Sequence, residues 1–326
     1  MPGYDGIELL SVLGKRGLKS QVLLISGMDP RTLLAAERIA TGHGLRILGA
    51  VPKPFNMQAL RELLTKAMEP PHDITEEELE IAIAEGQFFL EYQPKVNLRS
   101  GKIAGAEALA RWQRPDHSVL PPMAFIPKIE ASYLMKPFTV GVLRAAAAQR
   151  RTWAEAGHDV KVAVNISAGM VADATMPDKF AATAAEARVT PDKIVLEITE
   201  TGVMADAKRS IEVLTRVRVK GFDLSMDDFG IGYSSMQQLH RMPFNELKID
   251  RSFVAEMITA REAQAIMRSI IDLGHNMALV VCAEGVEDKD THQALLSLGC
   301  DLSQGFYCGR PMRAQIPSSA WLHTTN

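Results

Sequence analysis

The stretch Asp223-Leu-Ser-Met-Asp-Asp-Phe-Gly-Ile-Gly-Tyr-Ser-Ser235 runs from a strand pattern into a pair of charges and then into a loop. Its alternating apolar residues end in adjacent carboxylates, Asp227 and Asp228, followed at once by Gly230-Ile231-Gly232. Burying two like charges side by side is costly unless a cation compensates them. A strand that ends in Asp-Asp before a glycine loop therefore reads as a divalent metal site beneath a lid. It reads equally as a turn, for which Asp, Gly and Ser are ordinary residues. The flanking chain has to decide.

From about residue 80 onward, strands alternate with helices. Strand patterns cover Phe88 to Leu98, Ile103 to Trp112, Val160 to Ser167, Ile194 to Glu200, Asp223 to Phe229, Leu247 to Asp250, Leu279 to Glu284 and Asp301 to Tyr307. Helical patterns lie between most of them: Pro137 to Ala156, Asp178 to Ala187, Ala205 to Lys220, Ala263 to His275 and Lys289 to Leu298. This rhythm and size predict a (β/α)8 TIM-like barrel. The tight Arg99-Ser-Gly-Lys102 turn allows only an antiparallel first pair, because a parallel crossover needs about a dozen residues or more. The barrel is therefore expected to begin with an antiparallel strand.

Strands in such a barrel are apolar on both faces, and polar side chains are tolerated mainly at the carboxyl-terminal rim. Side-chain parity singles out the exceptions. Asn165 opposes Val162, Val164 and Ile166; Glu197 opposes Ile194, Leu196 and Ile198; Lys248 opposes Leu247 and Ile249. Glu284 shares parity with Cys282 and Val280, and Glu107, Leu109 and Arg111 oppose four apolar neighbours. A lone buried carboxylate is more often a salt-bridged structural residue. Five of them on four strands, with only Lys248 and Arg111 counted as cations, need protonation or metal. Oxygen ligands without histidine suit Mg2+ or Mn2+ rather than zinc. Such a set can hold two ions about 3.5–4 Å apart, the geometry of phosphoester hydrolysis.

The bulk composition is consistent with this. Hydrophobic residues at 47% and charged residues at 23% describe an ordinary globular chain, and a net charge of −3 argues against a nucleic-acid duplex as partner. The longest apolar runs are too short to span a bilayer, and no secretory signal pattern opens the chain. Cys282, Cys300 and Cys308 fit neither a metal spacing nor an even disulfide framework, as expected in the cytoplasm. Cys282 and the Met and Leu residues of the 263–279 helix read as core, and Arg144, Arg150 and Arg151 as a solvated helix face.

The first residues form a separate pattern. Gly6 to Lys15 is amphipathic, Val22 to Ser26 is a buried strand, and Asp29-Pro30 starts a helix that ends at Gly42 or Gly44. Leu45 to Val51 is a second strand, closed by Pro52-Lys53-Pro54-Phe55, and Met57 to Met68 is another helix. This order resembles the carboxyl-terminal half of a response-regulator receiver domain, part of a doubly wound α/β fold. Met1-Pro-Gly-Tyr-Asp-Gly6 is similar to the loop after the phosphorylated aspartate. Ser26 and Lys53 fall at the hydroxyl and lysine positions. The phosphoacceptor half is absent, and Met1 is expected to be an internal methionine of a longer protein or the start of a natural half-domain. Glu69-Pro-Pro-His-Asp-Ile-Thr75 is the linker, and Thr75-Glu-Glu-Glu78 is a helix start. The boundary is expected near residue 72, with 1–71 the receiver-like segment and 72–326 the barrel.

From about 80 to 313 the chain resembles the EAL family of bacterial cyclic-di-GMP phosphodiesterases. The resemblance rests on ordered motifs: Tyr92-Gln-Pro-Lys95, Glu107-Ala-Leu-Ala-Arg111, Asn165-Ile-Ser167, Glu197-Ile-Thr-Glu200, Asp227 to Ser235, Leu247-Lys-Ile-Asp250, Ala283-Glu-Gly-Val-Glu287 and Gln304-Gly-Phe306. It implies hydrolysis of cyclic-di-GMP to linear pGpG with two Mg2+ or Mn2+ ions. It implies Glu107, Asn165, Glu197 and Asp227 as ligands of one ion, with Asp227 bridging to a second beside Asp228 and Glu284. Glu107, Lys248 and Glu284 become the catalytic residues. Lys248 would orient the nucleophilic water, and Glu284 would position metal or water before acting as a base. Gln93, Arg111, Asp228 and Gln304 resemble substrate contacts. Glu200 and Glu287 resemble residues that hold the Gly230, Ile231, Gly232 loop and couple it to a homodimer. Ile231 departs from the family, in which that loop position is more often a small residue or threonine, so a stiffer loop or an exposed apolar tip is expected. Phe306 replaces tyrosine.

Two functions compete on these residues. An active phosphodiesterase keeps every ligand, as this chain does. A cyclic-di-GMP-binding receptor usually loses some of them. A barrel hydrolase for another phosphodiester is the third reading.

Overall fold

The computed structural model describes residues 6–16, 18, 20–27, 30–53, 74–204, 206–230, 236–258 and 260–314. The chain divides into two compact units, Met1–Asp73 and Ile74–Asn326.

In the first unit, helix α1 (Gly6–Lys15), strand β1 (Gln21–Ser26), helix α2 (Pro30–Gly42) and strand β2 (Arg46–Pro52) alternate as their patterns require. The two strands are parallel, with Ser26 opposite Pro52, and Lys53 N–H donates to Ser26 O at 2.7 Å. A small core of Leu10, Ala40 and Leu45 fills the space between helices and strands. The loop expected at residues 1–5 and the helix expected from Met57 to Met68 lie outside the described residues.

The second unit opens with α3 (Glu76–Ala84), whose start is a reciprocal cap: Thr75 Oγ1 accepts from Glu78 N–H, and Glu78 Oε2 accepts from Thr75 N–H. There follow β3 (Phe88–Asn97), β4 (Ile103–Gln113), β5 (Val119–Leu120), α4 (Pro122–Glu130), α5 (Met135–Glu155) and β6 (Lys161–Asn165). Next come α6 (Ala168–Val171), α7 (Met176–Glu186), β7 (Ile194–Thr199), α8 (Glu200–Met204), α9 (Ala207–Val219) and β8 (Asp223–Phe229). The unit ends with α10 (Met236–Arg241), β9 (Glu246–Ile249), α11 (Arg251–Glu256), α12 (Arg261–Asn276), β10 (Val280–Ala283), α13 (Lys289–Leu298), β11 (Leu302–Gln304) and β12 (Met312–Arg313).

Strands β4, β6, β7, β8, β9, β10 and β11 are consecutive neighbours, and β3 pairs with both β4 and β11 to close the ring. Both β3 pairings are antiparallel, and the pairings from β4 through β11 by way of β6 to β10 are parallel. The two-residue-period apolar face turns outward to the helices: Val162 and Val164, Ile194, Leu196 and Ile198, Leu247 and Ile249 are all buried in one core. Phe88, Trp112, Phe125 and Phe138 stack with centroids 5.1–6.2 Å apart, and tie α4 and α5 to the β3–β4 hairpin.

Some elements differ from the sequence expectation. The expected 205–220 helix is α9, Ala207–Val219, but a separate short helix, α8, precedes it where the strand pattern was expected to end, and the last barrel strand is only three residues, Leu302–Gln304. Arg150 is not solvated. It is 9% exposed and pairs with Asp159, while Arg144 and Arg151 stay on the surface. Packed against α7 and β6, α5 turns one of its three arginines inward.

Candidate active site

Register brings the polar exceptions to one end of the barrel. Asn165, the last residue of β6, lies opposite Glu197 in β7, and Thr199 of β7 lies opposite Asp227 in β8. Gln93 of β3 lies opposite Glu107 in β4. Glu284 follows β10 directly, its N–H on Ile249 O at 3.1 Å, and Gln304 ends β11. These are the carboxyl ends of the parallel strands, the usual rim for chemistry in such barrels.

Successive strand residues face opposite sides, so Asp227 and Asp228 cannot both face the rim in a regular strand. The strand breaks there. Its register with β9 jumps between Met226 and Phe229, and Asp228 takes φ +55°. A non-glycine residue held in that region carries strain, and such strain gathers at functional sites. Asp228 N–H donates to Asp227 Oδ1 at 2.9 Å, which fixes the bend. One carboxylate oxygen from each of Asp227, Asp228 and Glu284 falls within 4.8 Å of the others.

Lys248 stands at the centre, 1% exposed. Its Nζ is 2.6 Å from Glu284 Oε1, 2.9 Å from Glu197 Oε2, 3.1 Å from Asp227 Oδ1 and 3.5 Å from Glu107 Oε2. Burial alone would discharge it, but the surrounding carboxylates outweigh burial and hold its pKa well above the usual lysine value. Glu197 is raised by burial and lowered more by Lys248 and Lys95, ending at about 2. Glu284 is pushed up to about 8 by burial, which Lys248 only partly opposes. Asp227 is pushed up to about 6 by burial, against Lys248 and with the help of Glu197 and Glu107. Asp228 is raised by burial and by Asp250.

Sequence reasoning missed a second cation. Lys95, from antiparallel β3, lies below Lys248 with its Nζ 2.5 Å from Glu197 Oε1 and 2.5 Å from Glu246 Oε1. The expectation that Lys248 and Arg111 are the only nearby cations is therefore corrected. The signal was present: Gln93 and Lys95 share parity, and a lysine on the inner face of a barrel strand needs partners.

The other expected residues have definite positions. Asn165 Nδ2 donates to Glu107 Oε1 at 2.6 Å. Gln304 Nε2 donates to Glu107 Oε2 at 2.6 Å and Gln93 Oε1 at 3.1 Å, while its own Oε1 is buried without a hydrogen-bond partner among the described residues. Arg111 is half-buried and held by Glu91 at 2.8 Å rather than pointed freely at the rim. Gly230 N–H donates to Glu200 Oε2 at 3.0 Å, at φ +100°, and a Cβ there would meet the Phe253 ring at 2.6 Å. Glu287 is exposed. Ile231 and Gly232 lie outside the described residues. Beside the cluster opens a cavity of ≈ 640 Å3 lined by Leu109, Pro122, Met123, Phe138, Asn165 and Glu197.

The donor set fits a hard divalent cation. Glu107, Glu197, Asp227 and Glu284 converge on the ammonium of Lys248, Asp228 lies beside Asp227 and Glu284, and the carboxyls that lack enough positive charge are the ones driven toward their neutral forms.

An acidic cluster at the carboxyl rim of an eight-stranded barrel, with one antiparallel strand, defines a barrel enzyme of the acid-lined type. The chain belongs to the EAL domain family, whose model matches residues 76–311. Cyclic di-GMP phosphodiesterase RocR of Pseudomonas aeruginosa is 33% identical over 326 aligned residues, covering 97% of this chain and 83% of RocR. At that coverage the alignment takes in most of the first unit too. The bifunctional diguanylate cyclase/cyclic di-GMP phosphodiesterase MucR of the same organism is 39% identical, over 73% of this chain and 35% of MucR. Among solved structures, PaMucR phosphodiesterase in complex with c-di-GMP has a TM-score of 0.70 at 39% identity, covering 73% of this chain and 97% of that one.

Proposed function

We propose that this chain hydrolyses cyclic-di-GMP to linear pGpG in bacterial second-messenger signalling, with two Mg2+ or Mn2+ ions. The observation that carries the reading is the convergence of four carboxylates on Lys248, with Asp228 beside Asp227 and Glu284 and Asn165 on Glu107, at the carboxyl rim of an EAL barrel. Glu107, Asn165, Glu197 and Asp227 would hold one ion, and Asp227, Asp228 and Glu284 would hold the second. When bound, the ions supply Lewis acidity and an activated water. Lys248 keeps its proton, because its pKa lies far above neutrality. It therefore acts as a donor that orients water or the scissile phosphate, not as a base. Glu284, with a pKa close to 8 before metal binds, serves to hold metal or water. Gln93 and Gln304 form an amide pair aimed at substrate, and Gln304 Oε1 is the acceptor that pair has left to offer. Arg111 leaves Glu91 to fork a phosphate or a guanine edge. Asp228 is close enough to the same rim to touch substrate.

Glu200 holds Gly230, and we read Glu287 as a second residue that holds the loop of Gly230, Ile231 and Gly232, linking metal occupancy to a homodimer in the cytoplasm. The parallel strands of the first unit, with Ser26 beside Lys53 at their ends, support its reading as half of a receiver domain.

The test is incubation of the purified chain with cyclic-di-GMP and Mg2+ or Mn2+, resolving pGpG. Product is expected, and Glu107→Ala should abolish it. Tight binding without product in either metal would replace the enzyme reading with that of a receptor. Turnover that survives Glu107→Ala would refute the metal assignment.

A further inference from the structure

Lys95 has no part in the mechanism above, yet it contacts one of its ligands. Its Nζ lies 2.5 Å from Glu197 Oε1, and Glu197 is fully buried. The other oxygen of the same carboxylate, Oε2, lies 2.9 Å from Lys248 at the metal-binding end. The two oxygens thus have separate partners. Lys95 is fixed in turn by Glu246 Oε1 at 2.5 Å, and Ser225 Oγ donates to that same oxygen at 3.0 Å.

A buried ion pair is weak evidence for stability, since an apolar replacement is often neutral. Packing does not explain this lysine either. It lines a cavity of about 320 Å3 at the amino-terminal mouth of the barrel, with Asn97, Gly105, Lys161 and Val195, so one side of it is not filled by protein atoms. Among the described residues its ammonium is held by the two carboxylates alone.

Resting on the metal reading above, we propose that Lys95 is a positioning residue: it occupies Glu197 Oε1, fixes the plane of that carboxylate, and leaves Oε2 alone for a divalent cation. Glu246 and Ser225 anchor Lys95 in that task. Without Lys95, the Glu197 carboxylate is free to rotate about its last torsion, and either oxygen can turn away from the cation.

The test measures Mn2+ affinity by calorimetry and stability by urea unfolding, on the full chain and without substrate. Lys95→Met strands the two carboxylates, so the decisive variant is Lys95→Met/Glu246→Leu, which removes the pair as a unit. The double variant should regain most of the stability lost in Lys95→Met, while its Mn2+ affinity stays weaker by roughly 10- to 100-fold, the usual cost of losing a partner behind a metal ligand. If affinity returns with stability to within about threefold, Lys95 serves folding only and the proposal is overturned. A wild-type chain that binds no Mn2+ overturns the metal reading, and with it this inference. Wild-type binding with an unchanged double variant overturns the inference alone.

Discussion

Divalent metal binding should depend steeply on pH, because two of the proposed ligands hold protons that a cation must displace. Glu284 titrates at about 8 and Asp227 at about 6 in the metal-free chain. At pH 6, Glu284 is almost fully protonated, which weakens binding by about 100-fold, and Asp227 is half protonated, a further factor of about 2. At pH 8 only the factor of about 2 from Glu284 remains. Mg2+ affinity should therefore rise by about 100-fold between pH 6 and pH 8, with about 1.5 protons released per chain at the lower pH and about 0.5 at the higher.

Calorimetry in buffers of different ionisation enthalpy reads both quantities. Glu284→Gln should bind more weakly at pH 8 but keep only the factor of about 2 that Asp227 contributes. The same protons set the stability of the metal-free barrel. Both carboxyls are raised above their unfolded values, so the folded state binds more protons and stability falls as pH rises from the ordinary carboxyl range through about 6 and then about 8. Added Mg2+ should thus raise the melting temperature more at pH 8 than at pH 6. An affinity that changes less than about threefold across this window, or binding without proton release, would refute the electrostatic account of the cluster.

Further outcomes follow from single side chains. Asp228→Gly should relieve the positive φ and stabilise the chain by about 1 kcal/mol while weakening Mg2+ binding, whereas Asp228→Asn should weaken binding with little change in melting temperature. Arg150→Ala should cost about 1–3 kcal/mol in urea unfolding, because it removes a buried stem and the partner of Asp159; Arg151→Ala should stay within about 0.5 kcal/mol. All three tryptophans follow residue 74, so their fluorescence reports the barrel unit. Glu200→Ala removes the acceptor for Gly230 N–H and should lower cyclic-di-GMP turnover by roughly tenfold or more, with Mg2+ affinity changed by less than about threefold.

The barrel could be read from the sequence because burial on two faces leaves a simple mark. Ile194, Leu196 and Ile198 alternate with Glu197, and the structure turns the apolar set to the helices and the acid inward. Lys95 escaped because alternation reports the face of a strand and not its depth. Strand β3 runs against its neighbours, so its later residues lie toward the amino-terminal mouth. Gln93 sits level with Glu107, and Lys95 sits opposite Gly105, one layer lower. Only the register reveals that layer, and only there does Lys95 meet Glu246. The bend at Asp228 was hidden for a related reason. An Asp-Asp pair in a strand pattern does not say whether the second acid faces out or the strand breaks, and a register jump against β9 is a tertiary fact. Arg150 illustrates the limit for helices, since three arginines on α5 look alike until packing against β6 selects one.

Charge along the barrel axis explains why the open end needs cations while the closed end does not. Going up from the amino-terminal mouth, Glu246 meets Lys95, Lys95 meets Glu197, and Glu197 meets Lys248. Those four groups balance, and Glu197 accordingly stays ionised to about pH 2. Above them stand Glu107, Asp227, Asp228 and Glu284; among the described residues the first, second and fourth share the already paired Lys248 as their cation, and Asp228 lies beside Asp227 and Glu284. Six carboxylates against two lysines leave four negative charges, all at the rim. The metal-free chain reduces that excess by holding protons on Glu284 and Asp227. Two divalent ions would cancel it in full, which ties the number of ions proposed above to the charge count rather than to the ligand set alone. A carboxylate-to-amide change at any of the four rim positions should therefore lower the number of protons released on metal binding, while Glu246→Gln, below the balanced layer, should leave that number unchanged.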